Sequence, residues 1–227
     1  MNSENFTIKR ATQLNQNLED RYLTQFAAAF VRGTLGIDGT DHEVFEEGRK
    51  QKLKLHRFKR SELPRVLKCV GLLKGLHPET LLDVGTGRGV FLWTMLDQIP
   101  KVEVTCLDLL EHRVRLVNTV RKGGIKRIQA QLADAQKLDF PDSNFDVVTA
   151  LEVLEHMPNP SAAVSELSRV GKRYLLVSVP SKPDNNPEHI NLFSASELED
   201  LLRNNGCQSV QMHHVLNHRI ALGKIEA

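Results

Sequence analysis

Leu81-Leu82-Asp83-Val84-Gly85-Thr86-Gly87-Arg88-Gly89 decides how this chain folds. It reads as a short apolar strand, a glycine-rich turn and the start of a helix, which continues through Val90–Gln98. Glycines at such a turn allow positive φ and let a ligand approach the main chain with no Cβ in the way. The helix beginning near Gly89 offers unpaired N–H groups and a partial positive charge. A tight turn is also a plain structural need of many α/β proteins, so the segment does not specify a ligand by itself.

Downstream, strands and helices alternate. Val102–Asp108, Arg127–Ala133, Phe145–Leu151 and Tyr174–Val179 read as strands, with helices expected over Glu111–Arg121 and Ser161–Arg169. The capping box Ser194-Ala195-Ser196-Glu197 opens a further helix that stops at Gly206. Two last strands, near Cys207–His213 and His218–Ile225, form a hairpin around Val215–Asn217. This alternation predicts an α/β fold, a mostly parallel sheet with helices on both faces. Ligands of such sheets lie at the carboxyl ends of the strands, beside the switch point.

Upstream the periodicity is helical only. Glu19–Val31 places Tyr22, Leu23, Phe26, Ala27 and Phe30 on one face, and Gly33, Gly36 and Gly39 are expected to break the helix. A second helix begins near Asp41 and becomes basic, and a third starts at Pro64 and runs toward Gly75. The expected organisation is a helical N-terminal cap over residues 1–75 and an α/β domain over 76–227.

Acidic residues fall where a nucleoside would need them. Asp83 lies two residues before the first glycine, where it can orient the turn and meet an ammonium group. Asp108 ends the second strand, placed to accept from both ribose hydroxyls, and Asp134, followed by Ala135, ends the third, placed for an exocyclic amine. A single such Asp is usually a turn former, but three at successive strand ends form a pattern.

Those residues resemble class I S-adenosylmethionine-dependent methyltransferases, of the type 11-like kind. LLDVGTGRG is similar to their first motif, and the acidic end of CLD, LADAQKLDFPDSNFDVVTALEVLEHM and the closing VP of the fifth strand are similar to later ones. The likeness runs from Leu81 to the C-terminus. It implies a Rossmann-like seven-stranded sheet with one antiparallel strand near the C-terminus. It also implies S-adenosylmethionine as cofactor, with Asp83, Gly85, Thr86, Gly87 and Gly89 around the methionine part, Asp108 and Leu109 at the ribose, Asp134 and Ala135 at the adenine, and Leu151 flanking. A nicotinamide dinucleotide is the competing cofactor, but its G-x-G-x-x-G fingerprint meets Val90 where the last glycine should stand.

On the acceptor side, Glu152, Glu155 and His156 follow the fourth strand and His189 follows the fifth. If the first three share a helical turn, i and i+3 lie on one face. Two carboxylates and two imidazoles suit a divalent metal such as Mg²⁺, Mn²⁺ or Zn²⁺. The E-x-x-E-H pattern resembles metal-assisted O-methyltransferases acting in ubiquinone biosynthesis or on the terminal ribose of small RNAs. Similar blocks also occur in metal-free relatives, where Glu152 faces the cofactor and the histidine lines the pocket. The loop Asn185-Asn186-Pro187-Glu188-His189 is either a substrate wall or a plain connection. His213, His214 and His218 read as hairpin residues without a role.

Composition narrows the rest. The chain has 227 residues, 41% hydrophobic and 26% charged, which is ordinary for a globular domain. No apolar run is long enough to span a bilayer, and Met1–Arg10 lacks the apolar stretch of a secretory signal, so a cytoplasmic location is expected. Cys69, Cys106 and Cys207 are spaced as core thiols rather than a disulfide framework. Net charge is only +2, yet Arg49–Lys68 holds nine Lys/Arg and one acid, Glu62. Such a run is either a solvated helix face or an attractor for a phosphorylated acceptor, RNA or an acidic membrane surface. The function expected is methyl transfer to an O, N or C atom of a small molecule. The alternatives are RNA 2′-O-methylation with a metal, and a non-catalytic cofactor-binding module.

Overall fold

The computed structural model describes residues 22–225. Its centre is β1 (Thr80–Val84), flanked in parallel by β2 (Glu103–Asp108) and β4 (Phe145–Leu151). With β3 (Ile128–Leu132), β5 (Gly171–Pro180), β6 (Cys207–Val215) and β7 (His218–Ile225), the sheet order is β3-β2-β1-β4-β5-β7-β6. β7 runs antiparallel to both neighbours, as the terminal hairpin requires. The chain steps outward from β1 to β3, then returns to the other side of β1 with β4. The crevice of the switch point therefore opens over the carboxyl ends of β1 and β4.

Alternate residues of each strand serve opposite layers. Leu81, Val104, Cys106 and Val147 face a core shared with α1 (Thr24–Leu35), α2 (Asp41–Lys50), α3 (Pro64–Leu76), α4 (Val90–Gln98) and α5 (Glu111–Lys122). Leu82, Val84, Leu107 and Val148 face the other, with α6 (Pro160–Val170) and α7 (Ala195–Arg203). Phe26 of α1 and Phe58 pack on the buried Trp93 of α4, at ring-centroid distances of 5.8 and 5.1 Å. The expected capping box closes α7, with Ser194 and Glu197 satisfying each other's backbone N–H groups. All three cysteines are buried free thiols. Among the described residues no helix is long and apolar enough to cross a membrane.

Three differences from the sequence reading have physical causes. Of the first predicted helix, Glu19–Arg21 lies outside the described residues, and Tyr22 pairs with Lys59 in a β-bridge, so α1 starts at Thr24. Gly33 does not break α1, which runs to Leu35 and stops at Gly36 in the left-handed region. Gly33 is there for contact: a Cβ on it would lie 2.0 Å from the Thr119 carbonyl oxygen, and one on Gly123 1.7 Å from that of Ala29. Finally, the basic stretch is not one helix. α2 ends at Lys50, Lys52 takes a positive φ, and Leu55–Phe58 forms a 3-10 turn that buries Leu55 and Phe58 before α3 begins.

The glycine contact makes α1 and α5 depend on each other. Gly33→Ala is expected to destabilise the fold by about 1–3 kcal/mol, because the facing atom is backbone and cannot rotate away. Gly71→Ala in α3, with nothing within 4 Å of its new Cβ, should instead stabilise slightly. Thermal unfolding of the two variants checks this, and equal melting temperatures would contradict the packing described.

Candidate active site

The glycine turn between β1 and α4 is held from two sides. Gly85 N–H and Thr86 N–H donate to the Leu107 carbonyl of β2, at 2.8 and 3.2 Å. Gly87 N–H donates to Asp108 Oδ2 at 2.8 Å, and Leu110 N–H to Asp108 Oδ1 at 2.9 Å. Asp108 is thus clamped at the tip of β2 by main-chain donors, and each oxygen keeps a lone pair for another donor.

The glycines are required for different reasons, although all three have positive φ. A Cβ on Gly85 would strike Val153, and one on Gly89 would strike the Trp93 indole at 2.2 Å. On Gly87 the nearest atom would be 3.7 Å away. The space beside Gly87 is the cleft itself, where a ligand can approach the main chain.

That cleft, about 230 Å³, is lined by Asp83, Gly85, Thr86 and Gly87 from the turn, with Leu151, Glu152 and Ser178 from the ends of β4 and β5. Arg65, Val66 and Cys69 of α3 also line it. Asp83 lies at its floor, buried, accepting from Thr149 Oγ1 at 2.9 Å. Burial pushes its pKa up to about 6, against the pull of the Thr149 and Thr86 hydroxyls. Leu109, an apolar side chain beside Asp108, is 66% exposed. Asp134 is exposed and spends Oδ1 on the Gln136 N–H of its own loop at 2.9 Å, while Ala135 is buried.

The four acceptor-side residues do not converge as one helical turn. Glu152 takes φ 59°, and it lines the cleft at the glycine turn. Ser178 Oγ donates to Glu152 Oε1 at 2.7 Å, and Oε2 lies 3.1 Å from His218 Nε2 and 3.9 Å from Arg65 Nε. The 3-10 turn Leu154–His156 then carries Glu155 and His156 away toward His189. Ligating atoms of Glu155, His156 and His189 lie within 4.8 Å of one another. Glu155 is fully buried, neither carboxylate oxygen has a hydrogen-bond partner among the described residues, and burial pushes its pKa up to about 8. His156 Nδ1 donates to the Glu188 carbonyl and His189 Nδ1 to Asp184, both at 2.9 Å. An oxygen partner on each Nδ1 leaves Nε2 as the free lone pair.

Sequence reasoning did not find Arg65, Cys69, Ser178 or His218. His218 was read as a hairpin residue without a role, yet it pairs with Pro180 across β5 and β7, and that register sets it beside Glu152. Pairing between distant strands is what the local pattern could not show. The Cys69 thiol is pushed up to about 12 by burial, with the Glu152 charge adding to it, which makes it a wall rather than a nucleophile.

A family described as a methyltransferase domain matches residues 52–212. The chain belongs to it, as a class I S-adenosylmethionine-dependent methyltransferase. It is 36% identical over 101 residues to an uncharacterized methyltransferase of Schizosaccharomyces pombe, covering 41% of this chain and 36% of that protein. It is 30% identical over 119 residues to a ubiquinone biosynthesis O-methyltransferase of Alkalilimnicola ehrlichii, covering 52% and 46%. A crystal structure of a SAM-dependent methyltransferase from Aquifex aeolicus superposes with a TM-score of 0.56 at 26% identity, over 71% of this chain and 88% of that one. These two curated relatives are matched over less than half their length.

Asp83 gives the methyltransferase a measurable signature. Its native pKa lies above the ordinary carboxylate value, so the folded state holds the proton more tightly than the unfolded state. Stability from this group is present below about pH 4 and is lost as pH rises through about 6. Asp83→Asn should remove that loss: its urea stability relative to the parent should rise between pH 4 and 7 by about 2–3 kcal/mol. A constant difference across that range would show that Asp83 titrates normally.

Proposed function

We propose that the chain transfers a methyl group from S-adenosylmethionine to an O, N or C atom of a small-molecule acceptor. The observation that carries this is the Asp108 carboxylate, clamped by Gly87 N–H and Leu110 N–H at the strand tip beside an open glycine turn. The fit to the cofactor rests on three features. Asp108 keeps lone pairs for two vicinal hydroxyls. The space beside Gly87 is open to a ligand. Asp83 is a buried carboxylate whose raised pKa an ammonium group would reverse.

When bound, S-adenosylmethionine supplies an electrophilic methyl group on a sulfonium. The residues of this chain then bind, align and exclude water, which is most of what an in-line displacement needs. Asp108 and Leu109 hold the ribose, Asp134 and Ala135 border the adenine, and Asp83, Gly85, Thr86, Gly87 and Gly89 enclose the methionine part. Leu151 flanks it from the end of β4. Val66 and Cys69 of α3 form an apolar side of the same cleft, which limits water. Glu152, fixed by Ser178 and His218, presents a carboxylate in that cleft and is the group placed to take or hold an acceptor proton.

Asp108→Ala is expected to weaken S-adenosylhomocysteine binding at least a hundredfold in titration calorimetry, since two charge-assisted bonds are lost. Unchanged affinity would move the cofactor elsewhere.

A divalent cation at Glu155, His156 and His189 is a second proposal, favoured by the two orphaned oxygens of Glu155 and by the oxygen partners on both imidazole Nδ1 atoms. Such partners orient metal-ligating histidines and fix their tautomer. The ion would supply Lewis acidity toward an acceptor hydroxyl. Saturable binding of Mn²⁺ or Zn²⁺, weakened at least tenfold by Glu155→Gln and by His189→Ala, is the expected result. A protein that binds neither ion removes the metal, and with it the main support for the RNA 2′-O-methylation alternative.

A further inference from the structure

Beside the cofactor cleft lies a larger concavity of about 850 Å³. Its walls come from the segment before α3, from the end of the glycine turn and from the first turn of α5. Arg88 and Val90 line both this basin and the cofactor cleft, so the two spaces share a wall.

The basin is positively charged by construction. Its lining contains six Lys/Arg residues and a single acid, Glu62. Two of the six are already occupied: Arg60 pairs with Asp97, and Lys59 sits over the Tyr22 ring at 5.6 Å. Lys54, Arg57, Arg88 and Arg113 form no salt bridge among the described residues. Arg113 is the most telling. Its Nε is buried with no hydrogen-bond partner among the described residues. Burial lowers its pKa, and the nearby positive charges of Arg88 and Arg57 lower it further, against the pull of Asp108. Arg57, Arg88 and Arg113 thus line one basin, and none of the three has a salt-bridge partner among the described residues. Like charges gathered on one wall repel one another and favour a ligand of opposite charge. α5, twelve residues long, opens on the same basin with no side-chain cap among the described residues, and the positive end of its dipole is offset in part by Glu111.

We propose that this basin binds a phosphate or diphosphate group of the methyl acceptor, anchored by Arg57, Arg88 and Arg113. The placement rests on the methyltransferase reading: the anchored phosphate lies across the Arg88–Val90 wall from the cleft in which the methyl group is transferred. Arginine suits the role because its planar fork meets phosphate oxygens in pairs. The occupant is a phosphorylated small molecule rather than a nucleic-acid strand. Among the described residues no Phe, Tyr or Trp lines the basin, and its only rings are the imidazoles of His56 and His112, so large stacking platforms for bases are lacking. Phe58, the one Phe, Tyr or Trp within the basic segment, is fully buried against Phe30 and Trp93.

The test uses the full chain saturated with S-adenosylhomocysteine and titrated with inorganic pyrophosphate at fixed ionic strength. Saturable binding is expected, weakened at least tenfold by Arg57→Gln and by Arg113→Gln, and unchanged by Lys172→Gln at the opposite end of the sheet. Arg113 is partly buried, so Arg88→Gln serves as a further variant should Arg113→Gln unfold. Arg57→Gln should leave S-adenosylhomocysteine affinity within twofold. Failure of the S-adenosylhomocysteine titration itself would count against the methyltransferase reading. Normal S-adenosylhomocysteine binding without saturable pyrophosphate binding overturns the basin alone, as does equal weakening by Lys172→Gln. A single-stranded oligoribonucleotide that binds tightly and is not displaced by pyrophosphate would overturn the small-molecule assignment. Transfer of labelled methyl groups to a small-molecule extract should disappear when the extract is treated with phosphatase, and transfer that survives the treatment overturns the proposal.

Discussion

Asp108 is the residue on which the site depends, because its carboxylate joins two segments that sequence keeps apart. By accepting from Gly87 N–H and Leu110 N–H, it locks the turn after β1 to the tip of β2. The turn cannot then close over the switch point, and the main chain at Gly87 stays exposed to the cleft. A carboxylate held by main-chain donors needs no reorganisation when a ligand arrives, which is the condition for preorganised binding. The buried Asp83–Thr149 bond does the same work one strand over, joining β1 to β4 beneath the cleft.

Much of this was legible in the sequence because it is local. Strand, glycine turn and helix over 81–98 follow from patterning, and so do the capping box at Ser194 and Glu197 and the order of Asp83, Asp108 and Asp134. The misread parts depend on contacts between distant segments. Gly33 looks like a helix breaker until Thr119 is seen pressing against it. The basic run looks like one helix face until Leu55 and Phe58 are turned into the core. Glu152 looks like a partner of Glu155, but a positive φ at one residue sends the two carboxylates to different neighbours. A single backbone dihedral of that kind leaves almost no trace in composition.

Charge is similarly hidden by averaging. A net charge of +2 suggests an unremarkable surface, and the acids upstream of Arg49 suggest internal compensation. In the fold Glu46 pairs with Arg49 and Glu47 with Lys50 within α2, while Asp41 pairs with Arg32 of α1. Of the cations beyond α2, Lys54, Arg57, Lys59 and Arg60 line the basin, and only Arg60 among them has a carboxylate partner among the described residues.

The two electrostatic regions meet at Arg113. Its charge is favoured by Asp108, the proposed ribose ligand, and disfavoured by Arg88 and Arg57 in the basin. The cleft at the glycine turn and the basin adjoin at Arg88 and Val90, which line both, so a negative charge in the basin lies next to the space beside Gly87.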